Sequence, residues 1–164
     1  MLVRMTADYG SRSEVVLPDG SVVKLNSGSD ITYSYNAKEN IREVNFQGEG
    51  FFDVSKNKIP FVIKMSNGLR LKVHGTSFNL QAYTDEKTVE ASLVEGCIEL
   101  DHGNDKLLMN AGDMAIFDKQ TNKMRPTSGV LSHSYSWLED KLYMDHMSLA
   151  SVCKYLERRY CLLY

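Results

Sequence analysis

The sequence predicts an all-β fold, a sandwich, jelly roll or solenoid-like stack of about ten short strands, followed by a small C-terminal α/β segment. Three observations predict it. Apolar and polar residues alternate with period two in short runs from Glu14 to Phe117. Clusters of Gly, Asp, Asn and Ser separate those runs at a spacing of roughly 8–12 residues. After Ser148 the apolar period becomes that of a helix.

Taken in order, Val15, Val16 and Leu17 lead into Pro18-Asp19-Gly20-Ser21, a tight-turn sequence, and Val22, Val23 and Leu25 complete a hairpin. Asn26-Ser27-Gly28-Ser29-Asp30 makes the next turn, after which Ile31, Tyr33 and Tyr35 alternate with polar residues. Val44 and Phe46 lead to Gly48-Glu49-Gly50, and Phe51-Phe52-Asp53-Val54 resumes a strand. Pro60-Phe61-Val62-Ile63-Lys64-Met65 is a short strand that ends at the Asn67-Gly68 turn. Leu69, Leu71 and Val73, then Phe78, Leu80 and Ala82, describe two strands joined through Gly75-Thr76. A glycine there suits a bend or a close approach to another chain segment. Val89, Ala91 and Leu93 run to Glu95-Gly96, and Ile98 and Leu100 run to His102-Gly103-Asn104. Leu107 and Leu108 precede Ala111-Gly112-Asp113, and Met114-Ala115-Ile116-Phe117 closes the set.

From Asp118 to Ser134 the chain is polar, contains Pro126 and Gly129, and reads as a trailing linker. The expected division is a β domain over 1–134 and a C-terminal module over 135–164. In that module Trp137, Leu142, Tyr143 and Met144 form a strand-like lead-in, Ser148 is an N-cap, and Leu149, Val152, Cys153, Leu156 and Tyr160 share a helix face. Cys161-Leu162-Leu163-Tyr164 reads as a strand just starting, so a strand–helix–strand unit cut short is expected.

Nineteen basic against 21 acidic residues, a net charge of -2, do not suggest the basic surface that nucleic-acid phosphates require. No apolar run approaches the roughly 20 residues of a membrane-spanning helix. The opening Met1-Leu2-Val3-Arg4-Met5 is too short and too charged for a secretory signal, so the chain is read as a soluble piece. Cys97, Cys153 and Cys161 lack zinc spacing and are expected to be buried free thiols.

Motifs for chemistry are few. His74, His102, His133 and His146 are scattered and fit surface or turn positions, so no metal or other cofactor is expected. Glu49, Glu95 and Glu99 are candidates for a carboxylate pair, although Glu95 beside Gly96 fits turn chemistry. No nucleophile elbow, phosphate loop or dinucleotide fingerprint occurs. An enzyme with turnover is not expected. Tyr33, Tyr35, Phe46, Phe51, Phe52, Phe61 and Phe78 fall on strands and should pack the sheets.

The order of the motifs supplies more. Val15 to Ser29, Arg42 to Val54 and Pro60-Phe61-Val62-Ile63 resemble successive blocks of the FecR-type anti-sigma regulator domain. Val73-His74-Gly75-Thr76-Ser77-Phe78-Asn79-Leu80 resembles that family's Gly-Thr block. Leu93 to Leu100 and Leu108 to Asp113 resemble its last two blocks. Trp137-Leu138-Glu139-Asp140 through Leu156-Glu157-Arg158-Arg159-Tyr160 is similar to the C-terminal extension of Bacteroidetes members. Gly50 departs from the alanine usual in the family.

The resemblance implies a periplasmic sensor, the soluble part of an inner-membrane protein. Its partner would be the signalling domain of a TonB-dependent outer-membrane transporter. It would pass the signal to an extracytoplasmic-function (ECF) sigma factor through a cytoplasmic segment that this sequence does not contain. Docking is expected on the C-terminal module, whose open sheet edges would recruit a partner strand. The candidate residues are Trp137, Leu142, Tyr143, Leu149, Tyr155, Leu156, Arg158, Arg159 and Tyr160. The resemblance also implies self-cleavage, in which the Thr76 hydroxyl attacks the Gly75 carbonyl and water opens the resulting ester. A rival reading is a cupin-like small-molecule-binding or enzymatic β-barrel domain, suggested by the strand ends around Glu95-Gly96 and Ala111-Gly112-Asp113. It lacks the histidine cluster a metal cupin uses. A plain structural adhesion domain is the third reading.

Overall fold

The computed structural model describes residues 2–144 and 147–161. Among these, thirteen strands build two sheets that share one long strand. The first sheet runs β1 (Leu2–Ala7), β4 (Ser29–Asn36), β5 (Ile41–Asp53), β6 (Phe61–Lys64), β7 (Arg70–Val73), β10 (Cys97–His102) and β11 (Asp105–Asn110). The second runs β2 (Ser13–Val16), β3 (Val22–Leu25), β5 again, β8 (Ser77–Ala82), β9 (Thr88–Glu95), β12 (Met114–Asp118) and β13 (Lys123–Thr127).

The strand β5 changes sheets at Gly48. Up to Gln47 it pairs with β4, and from Gly48 onward with β8. Gly48 has φ +112, and a Cβ there would collide with the backbone and side chain of Ser29, so both conformation and space require glycine. The two sheets fold over a single core in which Phe52 stacks on Phe78 at 5.0 Å and takes Phe46 edge-on at 5.1 Å. Leu25, Ile63, Leu71, Leu80 and Leu93 fill the layer around them with no exposure. The architecture is therefore a sandwich, not a solenoid.

Two strands lie where alternation did not predict them. One is β1, which precedes Glu14 and pairs along its whole length with β4. The other is β13, inside the stretch read as linker, which places Pro126 opposite Ala115. An edge strand can point a missing N–H to solvent, so proline does not bar it. The cysteines are free but exposed, contrary to expectation. Cys97 takes the outward phase of β10, next to inward Ile98, and Cys153 and Cys161 lie on and just past the C-terminal helix.

That helix, α1 (Leu149–Tyr160), starts at Ser148, whose side chain accepts from the Ser151 N–H. It ends at Cys161 in the left-handed region, with Arg158 and Arg159 in its last turn. The lead-in is not extended. Leu131–Glu139 is 3₁₀-helical and Lys141 to Met144 have no regular structure. The Ser134 and Ser136 hydroxyls donate to carbonyls three residues back, those of Leu131 and His133, which supports the tighter turn. The strand expected at Leu162 to Tyr164, and His146, lie outside the described residues.

Candidate functional site

Register decides which side chains of the second sheet face outward. Gly50, Leu80 and Ala91 stand opposite one another and point into the core. The neighbouring rows, Phe51–Asn79–Ser92 and Glu49–Gln81–Glu90, must then point away from it. An outward polar row on a two-layer sandwich is normally wet. Here Glu49, Asn79 and Ser92 are buried, because the segment 131–161 lies across them. Tyr135 packs on Phe51 with ring centroids 5.6 Å apart, and the Trp137 indole N–H donates to Asn79 Oδ1 at 2.9 Å.

Glu49 is the hub beneath that segment. Its Oε1 accepts from the Asn26 amide and its Oε2 from the Asn79 amide, each at 3.0 Å. Both asparagines are held by their other ends. Asn79 is fixed by Trp137, and Asn26 Oδ1 accepts from Arg12 Nε at 2.9 Å and from the Ser27 N–H. Arg12 also reaches Asp140 and the Tyr155 hydroxyl. No cation lies within ion-pair distance of Glu49 among the described residues. Burial, opposed by the two amide hydrogen bonds, pushes its carboxyl up to about 7.

The helix α1 docks through its polar side. Arg158 is 3% exposed, donates to Asp85 and Glu86, and lies with its guanidinium carbon 3.5 Å from the Tyr83 ring centroid. Ser151 donates to Glu86 and Lys154 to the Asp85 carbonyl. Arg159 pairs with Asp140 at 3.1 Å, which Arg12 also pairs. The consequence is an inverted helix: of the five residues expected on one face, Leu149, Cys153, Leu156 and Tyr160 are exposed and Val152 is half-buried.

The nine residues expected to meet a partner thus fall into three groups. Trp137 and Arg158 are buried against the sandwich. Leu142, Tyr155 and Arg159 are half-buried, while Tyr143, Leu149, Leu156 and Tyr160 are exposed. Of the candidate carboxylates, Glu99 pairs with Lys106 at 3.2 Å and Glu95 is exposed beside Gly96. Sequence reasoning missed Arg12, Asn26, Asn79, Asp85 and Glu86. Period two places Asn79 outward, and nothing in that period says what covers it.

Gly75 and Thr76 form a corner where three segments cross. A Cβ on Gly75 would lie 2.8 Å from the Lys56 Cα, and one on Gly96 would lie 2.9 Å from the Gly75 carbonyl oxygen. The Thr76 hydroxyl donates to the Cys97 carbonyl at 3.2 Å, and the residue is 4% exposed. His74 is exposed, and its carbonyl accepts from Arg42 and from the Asn57 N–H. Among the described residues no group of three or more His, Cys, Asp or Glu converges as a metal ion would need. No described helix is long and apolar enough to cross a membrane.

Solved structures share the overall fold. Two crystal structures of a candidate anti-sigma factor from Parabacteroides distasonis, at 2.50 and 1.65 Å, superpose with TM-scores of 0.90 and 0.89. Each is 28% identical to this chain, covering 98% and 97% of it and 76% and 75% of the other. No curated protein sequence matches. The model of the family described as FecR protein matches residues 3–99, from β1 to β10 and including the Gly75-Thr76 corner. This chain belongs to the FecR family.

Proposed function

We propose that this chain is the periplasmic sensor domain of an anti-sigma factor. It receives a signal from the signalling domain of a TonB-dependent outer-membrane transporter. It relays that signal to an ECF sigma factor through a cytoplasmic segment of a membrane-anchored parent. FecR membership and the likeness to the Parabacteroides candidate anti-sigma factor support the regulatory role.

The observation that carries partner docking is the inverted helix. A lone exposed leucine is ordinary, but an apolar stripe along a whole helix, held outward by ionic contacts on its other side, is not. Such a stripe fits a partner's apolar groove or sheet face. In this reading Leu149, Leu156 and Tyr160 touch the partner, and Tyr143, exposed and stacked on His133, adds to the contact. Leu142, Tyr155 and Arg159 flank them, and Trp137 and Arg158 hold the helix in place.

Calorimetric titration with the signalling domains of TonB-dependent transporters from the same genome tests the reading. Leu149→Asp with Leu156→Asp should weaken binding at least about 30-fold while leaving the unfolding transition unchanged. Absence of binding by the wild-type protein sinks it. Self-cleavage at Gly75-Thr76 is read separately, from intact mass. Two complementary fragments would establish it, and one full-length species stable over days would remove it.

A further inference from the structure

We propose that Glu49, with Asn26 and Asn79, is a proton-controlled latch for the segment 131–161, which docks tightly while Glu49 is neutral and loosens when it ionises. The proposal goes beyond partner binding and does not depend on it.

Its first support is position. Glu49 lies on the outward face of the second sheet and is buried there against Asn26 and Asn79, the latter held by Trp137 of the docked segment. Lifting that segment frees Asn79 and opens the face on which the carboxylate sits. The second support is connectivity. Each carboxylate oxygen is reached by an amide whose carbonyl is engaged at or beside the docked segment, Asn79 by Trp137 and Asn26 by Arg12, itself bonded to Asp140 and Tyr155. Docking and the surroundings of Glu49 therefore change together. The third is the absence of a compensating cation in contact. The groups that face Glu49 are Glu90 from β9, which disfavours its charge, and Arg158 from α1, which favours it without touching. Tyr83 and Tyr155 complete the set.

The sign follows from these placements. In the docked state burial pushes the Glu49 carboxyl up to about 7, and exposure on release would bring it back toward an ordinary glutamate's 4.5. A value raised by docking means that docking is strongest below 4.5, weakens as pH rises toward 7, and is flat above it. At tenfold per pH unit of difference, the docking constant falls on the order of 100-fold between those limits.

Hydrogen exchange of the peptides in 131–161, corrected for intrinsic rates, reads the opening equilibrium directly. Between pH 4.5 and 7 the wild-type opening constant should rise on the order of 100-fold, while the core strands β8 and β9 stay protected. Glu49→Gln should abolish the pH dependence, and His133→Gln, on the same segment, should keep it. A flat wild-type profile, a profile of opposite sign, or an unchanged profile in Glu49→Gln overturns the latch. Should Glu49→Gln not fold, the carbon NMR titration of the wild-type Glu49 carboxyl decides instead. A midpoint near 7 supports the latch, and one near 4.5 overturns it.

Discussion

The strand β5 carries two buried ionisable side chains with opposite designs. Arg42 is 2% exposed and saturated. It pairs with Asp19 at 2.8 Å, donates to the carbonyls of Ser55, Ile59 and His74, and lies over the Phe61 ring. Glu49 is buried to a similar degree but meets amides only. The first charge ties the Asp19 turn, the loop after β5 and the Gly75-Thr76 corner into one rigid end. The second charge is tolerated only as far as the segment above it allows. Burial alone does not separate a structural charge from a responsive one; the counter-charge does.

The sharpest way to break the comparison is to remove Arg42. Arg42→Met leaves the Asp19 carboxylate buried without its cation and takes the Arg42 donor from the Ser55 and Ile59 carbonyls, while the His74 carbonyl keeps the Asn57 N–H. Urea unfolding should show a loss of about 3–5 kcal/mol. A loss under about 1 kcal/mol would mean that the end is not held by this ion pair. Gly75→Ala acts on the same end through sterics. Its new methyl meets the Lys56 backbone, which cannot swing aside as a side chain does, and should cost about 1–3 kcal/mol in the same assay.

At the other site, Trp137→Phe removes the indole N–H and leaves the Asn79 carbonyl under the ring without a donor. The expected cost is about 1–3 kcal/mol, confined to opening of the segment 131–161. Hydrogen exchange should speed there and not in β8. Equal acceleration in both would make the segment part of the sandwich's global unit rather than a separable cover.

How much of this was legible follows from what alternation encodes. Period two marked the inward residues of β3, β5, β8 and β9 correctly, because one face of each is apolar. It could not mark β1, where Leu2 is exposed although Val3 and Met5 pack on the core, or β13, where Pro126 argued for a loop. The turn glycines at Gly48 and Gly96 were visible, but not that β5 serves both sheets. The alternation of β8 and β9 puts Asn79 and Ser92 on the outward face, and Glu49 between two glycines reads as a break in the strand and a candidate for a carboxylate pair. Covering is a fact of tertiary structure, and the covering helix does not follow the pattern of a core helix. Its apolar stripe, which patterning assigns to the core, is turned outward, while Arg158 is the residue that goes in.

The smallest effect is expected on the first sheet's outer face, which carries the same polar alternation and stays partly exposed at Glu43 and Lys64. Glu43 on β5 pairs with Lys64 on β6 at 2.6 Å, yet both remain partly exposed. The hydrogen bond from Lys64, opposed by slight burial, lowers the Glu43 carboxyl below the usual range. A lowered folded-state value contributes stability above the unfolded value, and that contribution disappears as pH falls through the folded value. Lys64→Met should therefore cost at most about 1 kcal/mol near neutrality and nothing in acid, where Glu43 is protonated in both proteins. The loss should also shrink with added salt, since water and ions reach the pair. If it matched the Arg42→Met loss, the contrast between covered and uncovered charges on β5 would fail, because an exposed pair would be holding the sandwich as firmly as a buried one.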